Sequence, residues 1–216
     1  MKYKYKFLLI SWLIVAVALI SVGMAKAEPI DYLANLTGAK ESPPNSSPGT
    51  GSVTAIFDFT THMLDLEVAF SGLTSPTIAA HIHAPTAIAN LGTAGVATQV
   101  PFFDGFPIGV TSGTYNHTFN TLDLSFYNPD FVTANGGTAA GAEAALAQAL
   151  SQHKAYFNIH TENFPKGEIR GFLFNSVPDA GSNFVCLGMA LIGLALLRRR
   201  IAPRSSASNR QLPTNL

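Results

Sequence analysis

Three histidines are the side chains of this chain whose types and spacing are best suited to chemistry. His81 and His83 lie two residues apart in the segment 78–83, and His160 lies in the segment 154–161. Both segments alternate apolar and polar residues with a period of two, which is typical of half-buried strands. Because alternate residues of a strand point to the same face, His81 and His83 share the polar face of their strand, and His160 lies on the polar face of its own.

This arrangement predicts a metal site if the two strands are neighbours. Three imidazoles would then converge on one side of a rigid sheet, and nitrogen ligands at about 2.0–2.1 Å suit zinc and copper. Glu168, on the returning arm of the hairpin that follows His160, is expected to be a fourth ligand or an acceptor for an imidazole N–H. In the alternative, Arg170 pairs with Glu168 and holds the polar face of the hairpin in place. The alternative is a set of structural histidines that are hydrogen-bonded to neighbouring strands and loops.

Catalysis by a side-chain nucleophile has little support in the sequence. The chain contains no Gly-x-Ser-x-Gly motif and no phosphate-binding glycine loop. His62, His117 and His153 fall at turn, strand and helix-end positions without obvious partners, and we interpret them as solvated. No catalytic residue is therefore assigned, and any enzymatic activity would depend on the metal site.

Period-two alternation recurs along the chain, with turn residues between the alternating segments. The further strand candidates are residues 30–36, 53–59, 64–70, 113–119 and 168–174. Strands at this density predict an all-β fold, and specifically an antiparallel β-sandwich.

Two segments depart from the strand pattern. Residues 139–153 are rich in alanine, with Leu146 and Leu150 on one helical face, which predicts one short helix. Residues 86–110 contain many glycines and prolines and are predicted to form a long loop. The aromatic residues of this loop either cap the core or face a ligand.

The distribution of charge excludes one class of partner. The net charge of the whole chain is zero, but the basic residues are concentrated at the two ends. Residues 28–176 contain four basic and twelve acidic residues, a net charge of about −8. A domain with this charge repels phosphate backbones, so we expect no binding of nucleic acid. The single cysteine, Cys186, excludes an intramolecular disulfide.

The first 27 residues have the form of a secretory signal peptide. Lysines precede an apolar run over residues 7–22, and Ala25-Lys26-Ala27 is a small-x-small cleavage site that ends at Ala27. The alternative is an uncleaved membrane anchor. Both interpretations require the export machinery of the cell.

The C-terminal region contains a turn-forming motif, an apolar run over residues 184–197 and then three arginines. This order resembles the PEP-CTERM class of bacterial sorting signals, and in particular its VPDSG variant with Ala180 in place of the serine. The resemblance implies an exosortase-like processing enzyme, a membrane-spanning sorting signal over residues 177–200 and a cytoplasmic tail over residues 201–216. The residues expected to be read by the processing enzyme are Val177, Pro178 and Asp179. The alternative is a simple C-terminal anchor that is never cut.

Several short motifs between these two ends occur in a characteristic order. They are Leu-Thr-Gly-Ala-Lys-Glu-Ser-Pro-Pro at 36–44, Gly-Thr-Gly at 49–51, Ser-Gly-Leu at 71–73, Ala-His-Ile-His at 80–83, Asn-Ile-His-Thr at 158–161 and Gly-Glu-Ile-Arg-Gly at 167–171. Together they resemble the CHRD domain, the module that is named from chordin and is also found in many bacterial secreted proteins.

The CHRD resemblance assigns residues 28–176 to one domain and implies an exported binding or structural module without enzymatic activity. Together with the sorting signal, it suggests an extracellular polysaccharide or protein of the matrix as the partner. The expected sandwich is immunoglobulin-like or similar to superoxide dismutase, and copper–zinc superoxide dismutases also place a His-x-His on a sandwich strand. Hydrophobic helices are expected at the two ends of the chain. The second hypothesis is a metalloprotein or redox metalloenzyme, and convergence of the three histidines would favour it.

Overall fold

The structure, a computed structural model, describes residues 28–175. These residues lie within the first of the two units into which the chain divides, Met1–Ser176 and Val177–Leu216. The predicted signal peptide, the predicted sorting signal and the hydrophobic helices expected at the two ends lie outside the described residues, and so do the predicted processing positions. Within residues 28–175, none of the helices is both long enough and apolar enough to cross a membrane.

Eight strands form the framework of this domain. They are β1 (Ile30–Thr37), β2 (Thr50–Asp58), β3 (Met63–Ser71), β4 (Thr77–His83), β5 (Gly113–Asn120), β6 (Tyr156–Thr161), β7 (Ile169–Phe172) and β8 (Phe174–Asn175). In β3 every second residue is buried, from Leu64 to Phe70, while Asp65 and Glu67 between them are exposed. The apolar residues of the alternating pattern are therefore the buried residues, and the polar ones are exposed. The predicted strands are confirmed.

All the strands pair antiparallel in a single sheet with the order β4-β6-β7-β1-β2-β3-β5, and β8 pairs with β1. The sheet is curled. Phe103, from the loop after β4, stacks on Phe157 of β6 with ring centroids 5.9 Å apart. Its centroid is also 5.5 Å from that of Phe119 in β5. Phe103 therefore packs between the inner faces of strands that lie far apart in the sheet. The all-β antiparallel prediction is confirmed. A sandwich of two separate sheets is not confirmed, because hydrogen bonds join all the strands into one sheet.

Two α-helices, α1 (Pro129–Ala134) and α2 (Ala139–Ser151), precede β6. The longer helix, α2, confirms the helix that the alanine-rich segment predicts. The shorter helix lies where the turn-forming residues Asn128-Pro129-Asp130 predict a loop. The Asn128 side chain accepts a hydrogen bond from the Asp130 N–H, and Pro129 occupies the first turn. Asparagine and proline in these positions begin a helix as readily as they form a turn.

The aromatic residues of the long loop pack into the core. Phe103 is fully buried, and Phe106 is 4% exposed and stacks on Phe70 at 5.7 Å. Of the two alternatives for these aromatics, the structure supports capping of the core. The inner face of the sheet is mainly apolar, so the charged and imidazole side chains lie chiefly on its outer face or in its loops.

Candidate metal centre

The strands that carry the three histidines are direct neighbours. In the antiparallel register of β4 and β6, His81 lies opposite Asn158, His83 lies opposite Tyr156, and Ala79 lies opposite His160. The residues between them face inward and are fully buried, as in Ala80 and Ile82 of β4 and Phe157 and Ile159 of β6. The three histidines therefore lie together on the outer face of the sheet.

These three side chains, the histidine group, converge on a common space. Each offers one ligand nitrogen, and the three nitrogens lie within 4.8 Å of one another. The distances between ring centroids are 5.0 Å for His81 and His160, 5.5 Å for His81 and His83, and 5.7 Å for His83 and His160. Ligands at about 2.0–2.1 Å from a tetrahedral ion are about 3.4 Å apart, so inward shifts of about 1 Å or less complete such a geometry.

One nitrogen of each imidazole is fixed by a backbone carbonyl. His81 Nε2 lies 2.6 Å from Pro101 O, His83 Nδ1 lies 3.0 Å from Ala94 O, and His160 Nδ1 lies 3.1 Å from Pro165 O. A carbonyl oxygen only accepts, so each of these nitrogens carries the hydrogen and donates it. In the neutral ring the other nitrogen then has a free lone pair.

These other nitrogens are buried and have no hydrogen-bond partner among the described residues. They are His81 Nδ1, His83 Nε2 and His160 Nε2. Histidines that bind metals donate their second N–H to a carbonyl or carboxylate in this way, which orients the ring and sets its tautomer. The hydrogen-bonding pattern is therefore that of a ligand set.

Burial keeps the group in the form that binds metals. The pKa of His81 and that of His83 are lowered to about 4, mainly by loss of hydration. The neighbouring imidazoles also lower both values and Arg170 lowers that of His83, while the hydrogen bonds to the carbonyls oppose these shifts. The pKa of His160 is also lowered, again mainly by burial. At pH 7 the three rings are neutral, so an ion does not have to displace protons from them.

An aromatic ring and a cation support one side of the group. The Tyr156 ring stacks on His83 with centroids 4.9 Å apart and an interplanar angle of 2°. Arg170 lies over the Tyr156 ring at 4.7 Å and donates hydrogen bonds to Lys40 O at 2.5 Å and Gly92 O at 3.0 Å. Arg170 is 4% exposed, so this stack is enclosed by protein.

The structure does not bring Glu168 into the histidine group. Its carboxylate is fully buried and accepts hydrogen bonds from Ser47 Oγ at 2.6 Å, from the Thr74 N–H at 2.7 Å and from Thr161 Oγ1 at 2.5 Å. These partners come from the loops before β2 and after β3 and from the end of β6. Glu168 therefore fastens two loops to the hairpin.

The sequence suggested Glu168 as the partner of Arg170, but Arg170 pairs with Glu41. The distance from Arg170 Nε to Glu41 Oε2 is 3.8 Å. Glu41 and Asn158 are functional candidates that the sequence analysis did not single out, although both lie in the family-like motifs. Glu41 is 129 positions from Arg170 in the sequence, and spacing alone cannot show such a contact.

Of the histidines interpreted as solvated, His62 is 40% exposed but also has a partner that the sequence did not indicate. Its Nδ1 lies 2.9 Å from a carboxylate oxygen of Glu143 in α2, so it ties the turn before β3 to that helix. His153 contacts the Phe174 ring at 5.1 Å, and His117 stacks on Tyr115 at 6.0 Å.

The fold and the C-terminal region together define an exported all-β protein that carries a sorting signal. The VPDSG-CTERM motif model matches residues 176–201. This motif implies export to the bacterial cell envelope or surface and processing by an exosortase-like enzyme.

The CHRD domain model matches residues 32–173, and the chain belongs to the CHRD domain family. This match spans seven of the eight strands, both helices and all three histidines. No curated protein and no solved structure matches the chain significantly.

Proposed function

We propose that this surface-sorted chain binds one transition-metal ion, zinc or copper, in its CHRD domain through His81, His83 and His160. A single observation carries the proposal: each ring donates one N–H to a main-chain carbonyl and leaves its second, buried nitrogen unpartnered in the same space. An unpartnered buried polar atom costs about 1–3 kcal/mol. One ion satisfies all three nitrogens at once, whereas a purely structural role leaves three such costs in one place.

The ligand set also limits the chemistry that an ion can perform. Three neutral nitrogens leave at least one coordination position open, which is the arrangement of catalytic rather than structural zinc sites. An ion held here would supply Lewis acidity or, as copper, electron transfer. The side chains of this chain contribute the fixed ring orientations, the enclosed surroundings and the stack on His83.

We further infer that the domain acts outside the cell, tethered by the predicted sorting signal or released by processing. An extracellular polysaccharide or matrix protein remains the predicted partner, supported only by the sorting motif. The immunoglobulin-like and superoxide-dismutase-like sandwiches likewise remain predictions for how the curled sheet closes.

Elemental analysis of the purified full-length chain tests the metal proposal. The chain is prepared with an affinity tag that contains no histidine, incubated with zinc or copper and freed of loose ions. We expect close to one ion per chain, and the loss of that ion in a His81→Ala/His83→Ala variant. His117→Ala is the matched control that should keep the ion, since His117 does not belong to the group.

Two results would contradict this function. The first is a folded chain that retains neither ion after incubation. The second is equal loading of the double variant and the native chain, which would place the ion elsewhere.

A further inference from the structure

A second group of buried polar atoms lies beside the histidine group and is formed by Glu41, from the loop after β1, and Asn158 of β6. Glu41 is 7% exposed and Asn158 is 2% exposed. Glu41 Oε1 and Asn158 Oδ1 are both enclosed and have no hydrogen-bond partner among the described residues. Both atoms are acceptors in this arrangement, and each carries the cost of lost hydration.

Both atoms face the space beside Gly167. A Cβ on residue 167 would lie 2.5 Å from Asn158 Nδ2, 2.7 Å from Asn158 Oδ1 and 2.9 Å from Glu41 Oε1. The absence of a side chain at Gly167 therefore makes room for the acid and the amide to approach each other. Two acceptors cannot bond to each other, but a carboxylic acid donates to an amide oxygen. A proton on Glu41 would satisfy both atoms at once.

We propose that Glu41 carries a proton, which it donates to Asn158 Oδ1 in the metal-free protein, and that it releases this proton when the histidine group takes its ion. The second half rests on the proposed metal site, whereas the first half does not.

The electrostatic surroundings of Glu41 support the protonated form at neutral pH. Burial raises the pKa of Glu41 to about 7, against the opposing effects of Arg170 and of the Ser42 N–H hydrogen bond. Arg170 of β7 and the Tyr156 phenol of β6 are the other titratable or charged groups that act on it. The neighbouring Lys40 directs its ammonium to Asn35 O at 2.6 Å.

The register of the sheet connects this acid to the histidine group. Asn158 lies opposite His81 on one side and opposite Arg170 on the other. Neighbouring strands are about 4.8 Å apart, so the backbone of Arg170, whose side chain pairs with Glu41, is about 10 Å from that of His81. We take this as the scale of the separation between a bound ion and the Glu41 carboxyl. A divalent charge at that distance lowers the pKa of an acid by on the order of one to two pH units. The histidines are already neutral, so a proton released on zinc binding comes from Glu41 or from a water molecule bound at the open coordination position.

A carbon-13 NMR titration of the glutamate carboxyl carbons measures both halves of the proposal in the full-length chain. In the metal-free protein, we expect one glutamate to titrate near pH 7, and its signal to disappear in Glu41→Gln. Glu162→Gln is the matched control, because Glu162 is an exposed glutamate and its loss should leave the neutral titration in place. With zinc bound, the same signal should titrate at a pH at least one unit lower.

Calorimetry gives an independent measure of the released proton. Zinc binding at pH 6.5 is repeated in buffers with different ionisation enthalpies for the native chain and for Glu41→Gln. The native chain should release more protons by most of one, because any proton from a water bound to zinc is common to both proteins. If that variant does not fold, correlation of the carboxyl carbon with its backbone assigns the signal in the native chain alone.

Each outcome decides one part of the proposal. If Glu41 titrates in the ordinary range of a glutamate, the proposed hydrogen bond from protonated Glu41 to Asn158 Oδ1 is refuted. Glu41 would then be ionised at neutral pH, and Asn158 would direct its Nδ2 group towards it. A neutral titration that zinc leaves unchanged overturns the coupling. Absence of zinc binding refutes the proposed metal site, while the metal-free titration still decides the first half.

Discussion

At the scale of single residues, the histidine group is defined by the position of its hydrogens. His81 uses Nε2 for its carbonyl and presents Nδ1, whereas His83 and His160 use Nδ1 and present Nε2. The two nitrogens of imidazole differ in their reach from the backbone, so this mixture lets residues in different register positions direct lone pairs to the same space. Main-chain carbonyls of the loops determine which nitrogen of each ring carries the hydrogen, without help from another side chain.

The same burial makes the metal-free protein sensitive to acid. Because the pKa values of His81 and His83 are lowered to about 4, the unfolded chain takes up protons between about pH 6.5 and 4 that the folded chain does not. Stability is therefore lost as the pH falls through this window. Between pH 7 and pH 5 we expect the free energy of unfolding to fall by about 2 kcal/mol for each of the two histidines.

Urea unfolding in the presence of a chelator checks this prediction. A His81→Gln/His83→Gln variant is compared with the native chain at both pH values. Glu41 contributes in the opposite direction, because a raised pKa makes the folded state take up its proton first, but it is present in both proteins and cancels in the difference. An equal loss of stability in the two proteins would refute the prediction.

The sequence predicted that the three histidines lie together but not what surrounds them. Period-two spacing is enough to place His81, His83 and His160 on the polar faces of their strands, and the motif order suggested that those strands are related. The roles of Glu168 and Arg170 were assigned from closeness in the sequence, and the structure replaces them with partners from distant loops. Such contacts depend on how loops fold over the sheet, which local patterns do not encode.

At the scale of secondary-structure elements, the hairpin between β6 and β7 depends on Gly167. This residue has φ +123°, which side-chain-bearing residues rarely adopt, and it lies against Asn158 and Glu41. For Gly167→Ala we expect a loss of about 3 kcal/mol or more, from backbone strain together with overpacking.

Gly136→Ala is the matched control for Gly167→Ala. Gly136 also has a positive φ, of +91°, but a Cβ there would meet nothing within 4 Å. We expect about 1 kcal/mol for this variant, the cost of strain alone. Thermal unfolding of the two variants in parallel measures the difference, and equal losses would show that the contact with Asn158 and Glu41 is not tight.

Prediction of the elements succeeded where one physical signal dominated. Alternation of apolar residues located the strands, and alanine content together with helical spacing located α2. It failed at α1, because Asn128 and Pro129 are typical both of turns and of helix N-termini. Only the burial of Phe131 and Val132 against the core decides between these two structures.

At the scale of the whole molecule, the VPDSG-CTERM motif predicts that processing depends on its central residues. Replacement of Pro178 and Asp179 by alanine should cause the uncut chain to accumulate in the membrane fraction of the producing bacterium. The mass of the surface-exposed protein, measured after fractionation, checks this result. Ser205→Ala lies beyond the matched residues and should be processed normally, and normal processing of the motif variant would contradict the assigned signal.

The position of β4 at the end of the sheet affects whether copies of this protein can associate through their strands. A terminal strand presents free backbone groups to which a strand of another molecule can add. In this chain the loops occupy that edge: Ala97 N–H donates to Ile82 O, Ala84 N–H to Gly95 O and Gly109 N–H to Thr77 O. Copies displayed side by side on the cell surface therefore meet a blocked edge at the strand that carries His81 and His83. Dense display of this protein does not have to lead to polymerisation through that strand.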